Sequence, residues 1–268
     1  MKTTTHRLDR GEGSIAYDST GTGPLVICAP GMGDLRSSYR YLVPVLAEAG
    51  YRVVVLDLRG HGASDATFTS YDDAALASDF IALAEHLGGP ATLVGNSMGA
   101  GAAVIAAAAR PELVTSLVLL GAFVRNPASN PVTRALFRVV GLPLWVAGVW
   151  KATLPSLYKG RKPADFAAYL AEVHAAMKRP GYGRAFSQTM VTSHAPAEAA
   201  APRVKAPALI VMGTLDTDFK DPAAEAEWIA SQFPAEVLMV EDCGHYPQSQ
   251  QPEIVAPAIT SFLGRTRA

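Results

Sequence analysis

The sequence predicts an α/β protein with a mostly parallel sheet covered by helices on both faces. Three observations carry this. Short runs that are apolar on both sides, such as Leu25-Val26-Ile27-Cys28 and Arg52-Val53-Val54-Val55-Leu56, read as doubly buried strands. They alternate with helix-length segments, the rhythm of a parallel sheet. The chain has 268 residues, 49% of them apolar and 18% charged, enough for one large core or two small ones.

Taken in order, residues 4–17 alternate loosely and break at Gly11-Glu12-Gly13, which predicts an antiparallel hairpin. The strand Leu25–Cys28 follows, then a helix around Tyr39–Ala49 that Gly50 stops. Arg52–Leu56 is the next buried strand and ends at Asp57. Asp72–Leu87 reads as a helix closed by Gly88-Gly89-Pro90. Ala91–Val94 is a strand leading into Ser97. The helix behind it, Ala100–Arg110, is almost all Ala and Gly, so it can lie close to the sheet as the central helix. Ser116–Leu120 is again a strand. From about 125 to 200 there is no convincing buried strand. Helices rich in Trp, Phe, Tyr and Met are broken there at Gly141, Pro143, Pro155, Pro163 and Pro180-Gly181. The rhythm resumes with the strand Ala208–Met212, a helix from Pro222, the strand Glu236–Val240 and a helix over Glu253–Leu263. With the hairpin counted as two strands this makes eight, and the helical segment is inserted after the sixth. The expected organisation is a core of residues 1–124 and 198–268 with a helical cap, or lid, at 125–197.

Composition excludes several function classes. A net charge of −1 argues against nucleic-acid binding, which needs a basic surface. No apolar run reaches the ~18 residues of a membrane span. Met1–Arg7 lacks the apolar core of a signal peptide. Cys28 and Cys243 form neither a metal pattern nor a disulfide framework, which suits a reducing cytoplasm. No metal site and no cofactor is expected.

The chemistry is concentrated in Gly95-Asn96-Ser97-Met98-Gly99. This is Gly-x-Ser-x-Gly placed directly after an apolar strand and directly before a small-residue helix. Such a turn is tight enough that side chains at positions 95 and 99 would collide with the neighbouring backbone, and glycine removes them. A serine held there sits near a helix N-terminus, where backbone N–H groups can stabilise an oxyanion. A serine hydroxyl needs a base. Of the six histidines, His245 follows the last strand, at the sheet edge that also carries Ser97. His86 sits inside a helix and reads as a surface residue. The base needs a carboxylate to hold its tautomer. Asp216 follows the penultimate strand at the same edge, with Asp218 and Asp221 as nearby competitors. The loop Ala122–Asn126, the other common position for that acid, has no carboxylate. For the oxyanion, the N–H of Met98 is one donor, and the loop Ala29-Pro30-Gly31-Met32-Gly33 supplies a second, from Met32. Asp57 and the run Arg59–Asp65 read as a tight loop bonding its own backbone, and Cys243 as a packing residue.

These motifs together resemble the α/β-hydrolase fold superfamily, in its branch with a helical cap. The resemblance spans essentially the whole chain. It rests on Pro30–Gly33, Asp57-Leu58-Arg59-Gly60-His61-Gly62-Ala63-Ser64-Asp65, Gly95–Gly99, Gly213–Asp216 and Gly244-His245. It implies a Ser97-Asp216-His245 triad with Met32 and Met98 at the oxyanion hole. The chain departs from many members in having Pro30-Gly31 where they have His-Gly. Serine rather than aspartate at position 97 argues against an epoxide hydrolase or haloalkane dehalogenase. Gly31, Phe123, Trp145 and Tyr246 are expected on the substrate side. Phe137, Trp150, Tyr158, Phe166, Tyr169, Met177, Phe186 and Met190 are expected mainly to pack the cap on the core. The expected activity is a cofactor-free serine esterase acting on small to medium apolar carboxylic esters. The same triad would serve cofactor-free haloperoxidase (perhydrolase) chemistry, lactone, amide or thioester hydrolysis, or carbon–carbon bond hydrolysis. A slow-turnover binding protein is the remaining alternative. The expected partner is a small molecule, and an apolar cap surface is where a homodimer would pair.

Overall fold

The computed structural model describes residues 4–127 and 139–266. Residues 1–3, 128–138 and 267–268, with Phe137 and part of the expected cap, lie outside the described residues. The strands are β1 Thr4–Asp9, β2 Ser14–Thr20, β3 Leu25–Ala29, β4 Arg52–Leu56, β5 Ala91–Asn96, β6 Val114–Leu120, β7 Ala208–Gly213 and β8 Ala235–Val240. They form one sheet of eight in the order β1-β2-β4-β3-β5-β6-β7-β8. The hairpin β1–β2 and the β2–β4 pair are antiparallel. The remaining pairs are parallel. The expected mostly parallel eight-stranded sheet is therefore present.

Alternation along each strand divides the core between two layers. Val26, Val55, Val94, Val118 and Val211 face α1 (Leu42–Glu48) and α10 (Pro252–Thr266), meeting Leu42, Leu46, Val255, Ile259 and Phe262. Ile27, Val54, Leu93, Leu119 and Ile210 face α2 (Asp73–Leu87), α3 (Met98–Ala109) and α8 (Pro222–Ala230), meeting Leu76, Phe80, Leu83, Val104 and Ile229. Helix α3 lies as close to its surroundings as its Ala/Gly composition suggests. A Cβ on Gly101 would stand 2.5 Å from the Phe123 carbonyl oxygen.

Among the boundaries that differ from the sequence reading, two bear on the site. The segment after β3 is a short 3-10 turn, Arg36–Tyr39, followed by α1 from Leu42, rather than one helix from Tyr39. Pro44 is the reason. In a helix starting at Tyr39 its ring would strike the Arg40 carbonyl, whereas in the first turn of α1 it is tolerated. Helix α3 starts at Met98, directly behind Ser97.

Between β6 and β7 lie α4 (Val146–Leu157), α5 (Phe166–Ala176), α6 (Tyr182–Met190) and α7 (Ala195–Ala200). From this segment Val146, Leu154, Tyr158, Tyr169, Val173, Tyr182 and Phe186 gather in a third cluster, with Leu35 and Tyr246 of the core. A short helix α9 (Pro247–Gln250) follows His245. Among the described residues no helix is long and apolar enough to cross a membrane.

Candidate active site

Ser97 sits alone between the last residue of β5 and the first of α3. Its backbone is at φ 57°, ψ −122°, a conformation that costs a non-glycine residue about 1–3 kcal/mol. The surroundings enforce it. Its N–H donates to the Leu120 carbonyl at 2.9 Å, and its own carbonyl accepts from Ala100 N–H at 3.0 Å and Phe123 N–H at 3.3 Å. The flanking glycines are required by contact. A Cβ on Gly95 would lie 2.2 Å from the Gly99 carbonyl carbon, and one on Gly99 would lie 2.7 Å from the Ala29 carbonyl oxygen. Asn96 ties this turn to the histidine loop, its amide donating to Leu120 O at 3.0 Å and His245 O at 3.1 Å.

His245 is buried, and its ring lies over Gly121, at the end of β6. Gly121 has φ +50°, and a Cβ there would come within 3.1 Å of His245 Nδ1. Nδ1 lies 2.8 Å from Asp216 Oδ2 and 3.5 Å from Asp218 Oδ2. Asp216 is buried and its other oxygen accepts the Asp218 N–H at 3.0 Å. Asp218 is half-buried. Burial works against the charged form of His245, but Asp216 and then Asp218 outweigh it and hold the imidazolium above its ordinary range. Burial also raises the Asp218 carboxyl, opposed by His245. Asp216, Asp218 and His245 are the group, among the described residues, whose ligand atoms lie close enough to share a cation, all within 4.8 Å. The Nδ1–Oδ2 hydrogen bond engages one nitrogen of the ring, and Nε2 makes no hydrogen bond to a described residue.

The loop after β3 faces Ser97. A Cβ on Gly31 would lie 2.8 Å from Ser97 Cβ and 3.3 Å from its Oγ, so only glycine permits this approach. Met32 is half-buried and Met98 buried. Neither N–H donates a hydrogen bond to another described residue, which leaves both available to an oxyanion. Gly33 (φ +74°) is held from both sides. Its N–H donates to His61 Nε2 at 3.0 Å, and its carbonyl accepts from Trp150 Nε1 at 3.1 Å. His61 Nδ1 is 2.9 Å from the Arg59 carbonyl, so the ring donates at Nδ1 and accepts at Nε2. Burial pushes its pKa down to about 4, which keeps that neutral tautomer.

Of the expected substrate-side residues, Phe123 and Tyr246 flank the His245 ring edge-on, with centroids at 5.9 and 5.1 Å. Gly31 abuts Ser97. Trp145 is not brought there. It is exposed, caps the start of α4, and its indole donates to Val139 O at 2.9 Å. Five residues later, about 140° around the helix, Trp150 points back to the loop instead. Cys243 is buried, as a packing residue would be. Sequence reasoning passed over Asp34 and the buried pair His194–Asp73 (2.7 Å); it placed His61 only in a local loop and Trp150 only among the residues packing the cap on the core. The one signal was a histidine in an otherwise Gly-rich run at 60–62, which reads equally well as local loop.

A sequence model of the alpha/beta hydrolase family matches residues 26–258. The chain belongs to the alpha/beta hydrolase family. Among full-length relatives, this alpha/beta hydrolase is 29% identical over 273 residues to a Mycobacterium tuberculosis protein provisionally named non-heme bromoperoxidase, covering 95% of this chain and 99% of that one. It is 28% identical over 272 residues to 2-(acetamidomethylene)succinate hydrolase of Mesorhizobium japonicum, covering 96% and 94%. In fold it is similar to a thermophilic esterase from Thermogutta terrifontis, with TM-score 0.78, 23% identity and all of both chains covered.

Proposed function

We propose that this alpha/beta hydrolase is a serine hydrolase that cleaves small to medium, largely apolar carboxylic esters through an acyl-enzyme. The observation that carries the reading is the buried 2.8 Å contact between His245 Nδ1 and Asp216 Oδ2, at the same sheet edge as a serine held in a strained strand-to-helix turn. Ser97 attacks the ester carbonyl as His245 takes its proton. The Met32 and Met98 N–H groups receive the oxyanion. His245 then protonates the leaving alcohol, and in the second half activates the water that releases the acid. Asp216 holds the ring tautomer and supports the imidazolium. The helices between β6 and β7 would cover the site and choose the substrate.

Stopped-flow hydrolysis of p-nitrophenyl acetate and butyrate tests this. A burst near one equivalent, then steady turnover, is expected. Ser97→Ala is expected to lose about 10⁴-fold or more while remaining folded. Substantial residual turnover would remove Ser97 from the role. Dialysis against EDTA is expected to leave the rate unchanged. The relative provisionally named a bromoperoxidase favours one second reading, in which peroxide replaces water at the acyl-enzyme. Peracid formed from an ester and peroxide, detected through bromide oxidation, would support it.

A further inference from the structure

Asp34 closes the turn that begins at Gly31, its N–H reaching the Gly31 carbonyl at 3.3 Å. Gly31 itself abuts Ser97, so Asp34 belongs to the same turn as the residue that meets the proposed nucleophile. Asp34 is fully buried. Its Oδ1 accepts from the Leu35 N–H at 3.1 Å and from the Tyr169 hydroxyl of α5. Its Oδ2 is also buried and has no hydrogen-bond partner among the described residues. The Arg40 guanidinium, whose charge reaches Asp34, is committed to Asp165 through two hydrogen bonds. The groups that feel the Asp34 charge include His245 and Tyr246 of the proposed site, Tyr158 and Tyr182 of the inserted segment, and Tyr39. The Tyr182 hydroxyl likewise has no partner.

A purely structural role does not account for the second oxygen. Tying α5 to the loop takes one acceptor, and Oδ1 supplies it. Leaving Oδ2 without a protein partner is unfavourable for folding alone. It becomes useful when a ligand brings the missing donor. Tyr182 feels the Asp34 charge and its hydroxyl also lacks a partner; a ligand hydroxyl can donate to such a carboxylate and accept from such a phenol. An ammonium can only donate. A site built to bond a hydroxyl also discriminates strongly against the analogue that lacks one, because its own buried groups are then left unpaired.

We propose that Asp34 is a specificity-determining residue whose free oxygen receives a hydroxyl on the acyl chain of the ester, so that hydroxyacyl esters are preferred. This rests on the ester-hydrolase reading above and narrows its substrate class.

Asp34→Asn is a nearly isosteric test with a directional outcome. The Leu35 N–H and Tyr169 hydroxyl require an acceptor, so the amide oxygen must face them. The NH2 then stands where Oδ2 was, and an acceptor becomes a donor. Burial pushes the Asp34 carboxyl up to about 7, so rates are compared at pH 8, where it is ionised. The substrates are methyl butyrate, the two enantiomers of methyl 3-hydroxybutyrate, and methyl 3-oxobutyrate. The protein is expected to favour one hydroxy enantiomer over both the plain and the oxo ester by about tenfold or more in kcat/KM. In Asp34→Asn the hydroxy preference is expected to vanish and the ratio of oxo to hydroxy ester to rise. Tyr169→Phe removes the tie to α5 without altering the free oxygen, and is expected to keep the hydroxy preference. Equal ratios in the parent and Asp34→Asn, or loss of the preference in Tyr169→Phe as complete as in Asp34→Asn, would overturn the proposal. If no ester is turned over, the hydrolase reading falls separately. Calorimetric titration of Ser97→Ala with the same esters then decides Asp34. Tighter binding of a hydroxy ester, lost when Asp34→Asn is added, upholds the subsite. Equal or undetectable affinity overturns it.

Discussion

His245 faces two carboxylates of unequal standing. Asp216 is buried and makes the short contact to Nδ1, whereas Asp218 is half-buried and 3.5 Å away. Asp216→Asn is expected to lower kcat for p-nitrophenyl butyrate by about 10⁴-fold, the loss that follows when the wrong tautomer is favoured. Asp218→Asn is expected to keep most of the rate. Its signature is the pH profile. In the proposed mechanism the base works as neutral imidazole, and both carboxylates hold a proton on it, so the acid limb of kcat/KM is expected above the ring's ordinary 6.5. Removing Asp218 takes away one of those charges and moves the limb to lower pH. A large rate loss in Asp218→Asn with little in Asp216→Asn would transfer the orienting role to Asp218.

At the scale of elements, the loop after β3 is clamped at Gly33 between His61 of the core and Trp150 of α4. In the proposed mechanism the Met32 N–H of this loop receives the oxyanion, and a donor misplaced by a fraction of an ångström stabilises an oxyanion poorly. His61→Leu removes the acceptor for Gly33 N–H and is expected to lower kcat by about 10–100-fold with little change in KM. His61→Gln is expected to recover part of it, since the amide oxygen can accept from Gly33 while its NH2 donates to the Arg59 carbonyl. A pure stability effect would lower the Tm of both variants without separating kcat from KM.

Across the whole molecule, the segment between β6 and β7 is fastened at two places. Near the loop after β3, Arg40 meets Asp165 and Ser37 meets Glu172. At the return to the core, Asn126 accepts from the His194 N–H at 2.8 Å, and His194 Nδ1 meets Asp73 of α2 at 2.7 Å. Both side chains of that pair are buried. His194→Leu strands a buried carboxylate, which burial already pushes toward its neutral form. A loss of about 3 kcal/mol in urea unfolding is expected. Adding Asp73→Asn is expected to restore part of it, because the stranded charge is then gone. An additive double variant would show that the two side chains do not act as a pair.

The sequence by itself determined what short stretches of chain control. Runs of four or five mostly apolar residues placed the six parallel strands. The glycines at 95 and 99 marked the turn that holds Ser97. The order of strand ends brought Asp216, Asp218 and His245 forward as candidates without choosing among geometries. One boundary error was also local, since Pro44 was in plain view and forbids a helix from Tyr39. What only the tertiary structure decided were contacts between residues far apart in the chain. Whether Trp145 or Trp150 meets the loop depends on how α4 is rotated against the core. Whether His61 is a local loop residue or the acceptor for Gly33 depends on two loops after different strands meeting. The unpaired oxygen of Asp34 and the His194–Asp73 pair exist only once helices from the inserted segment settle on the sheet. Periodicity records which face of an element is apolar. It carries no record of which polar partner that face will find, because the choice is made by packing across the fold.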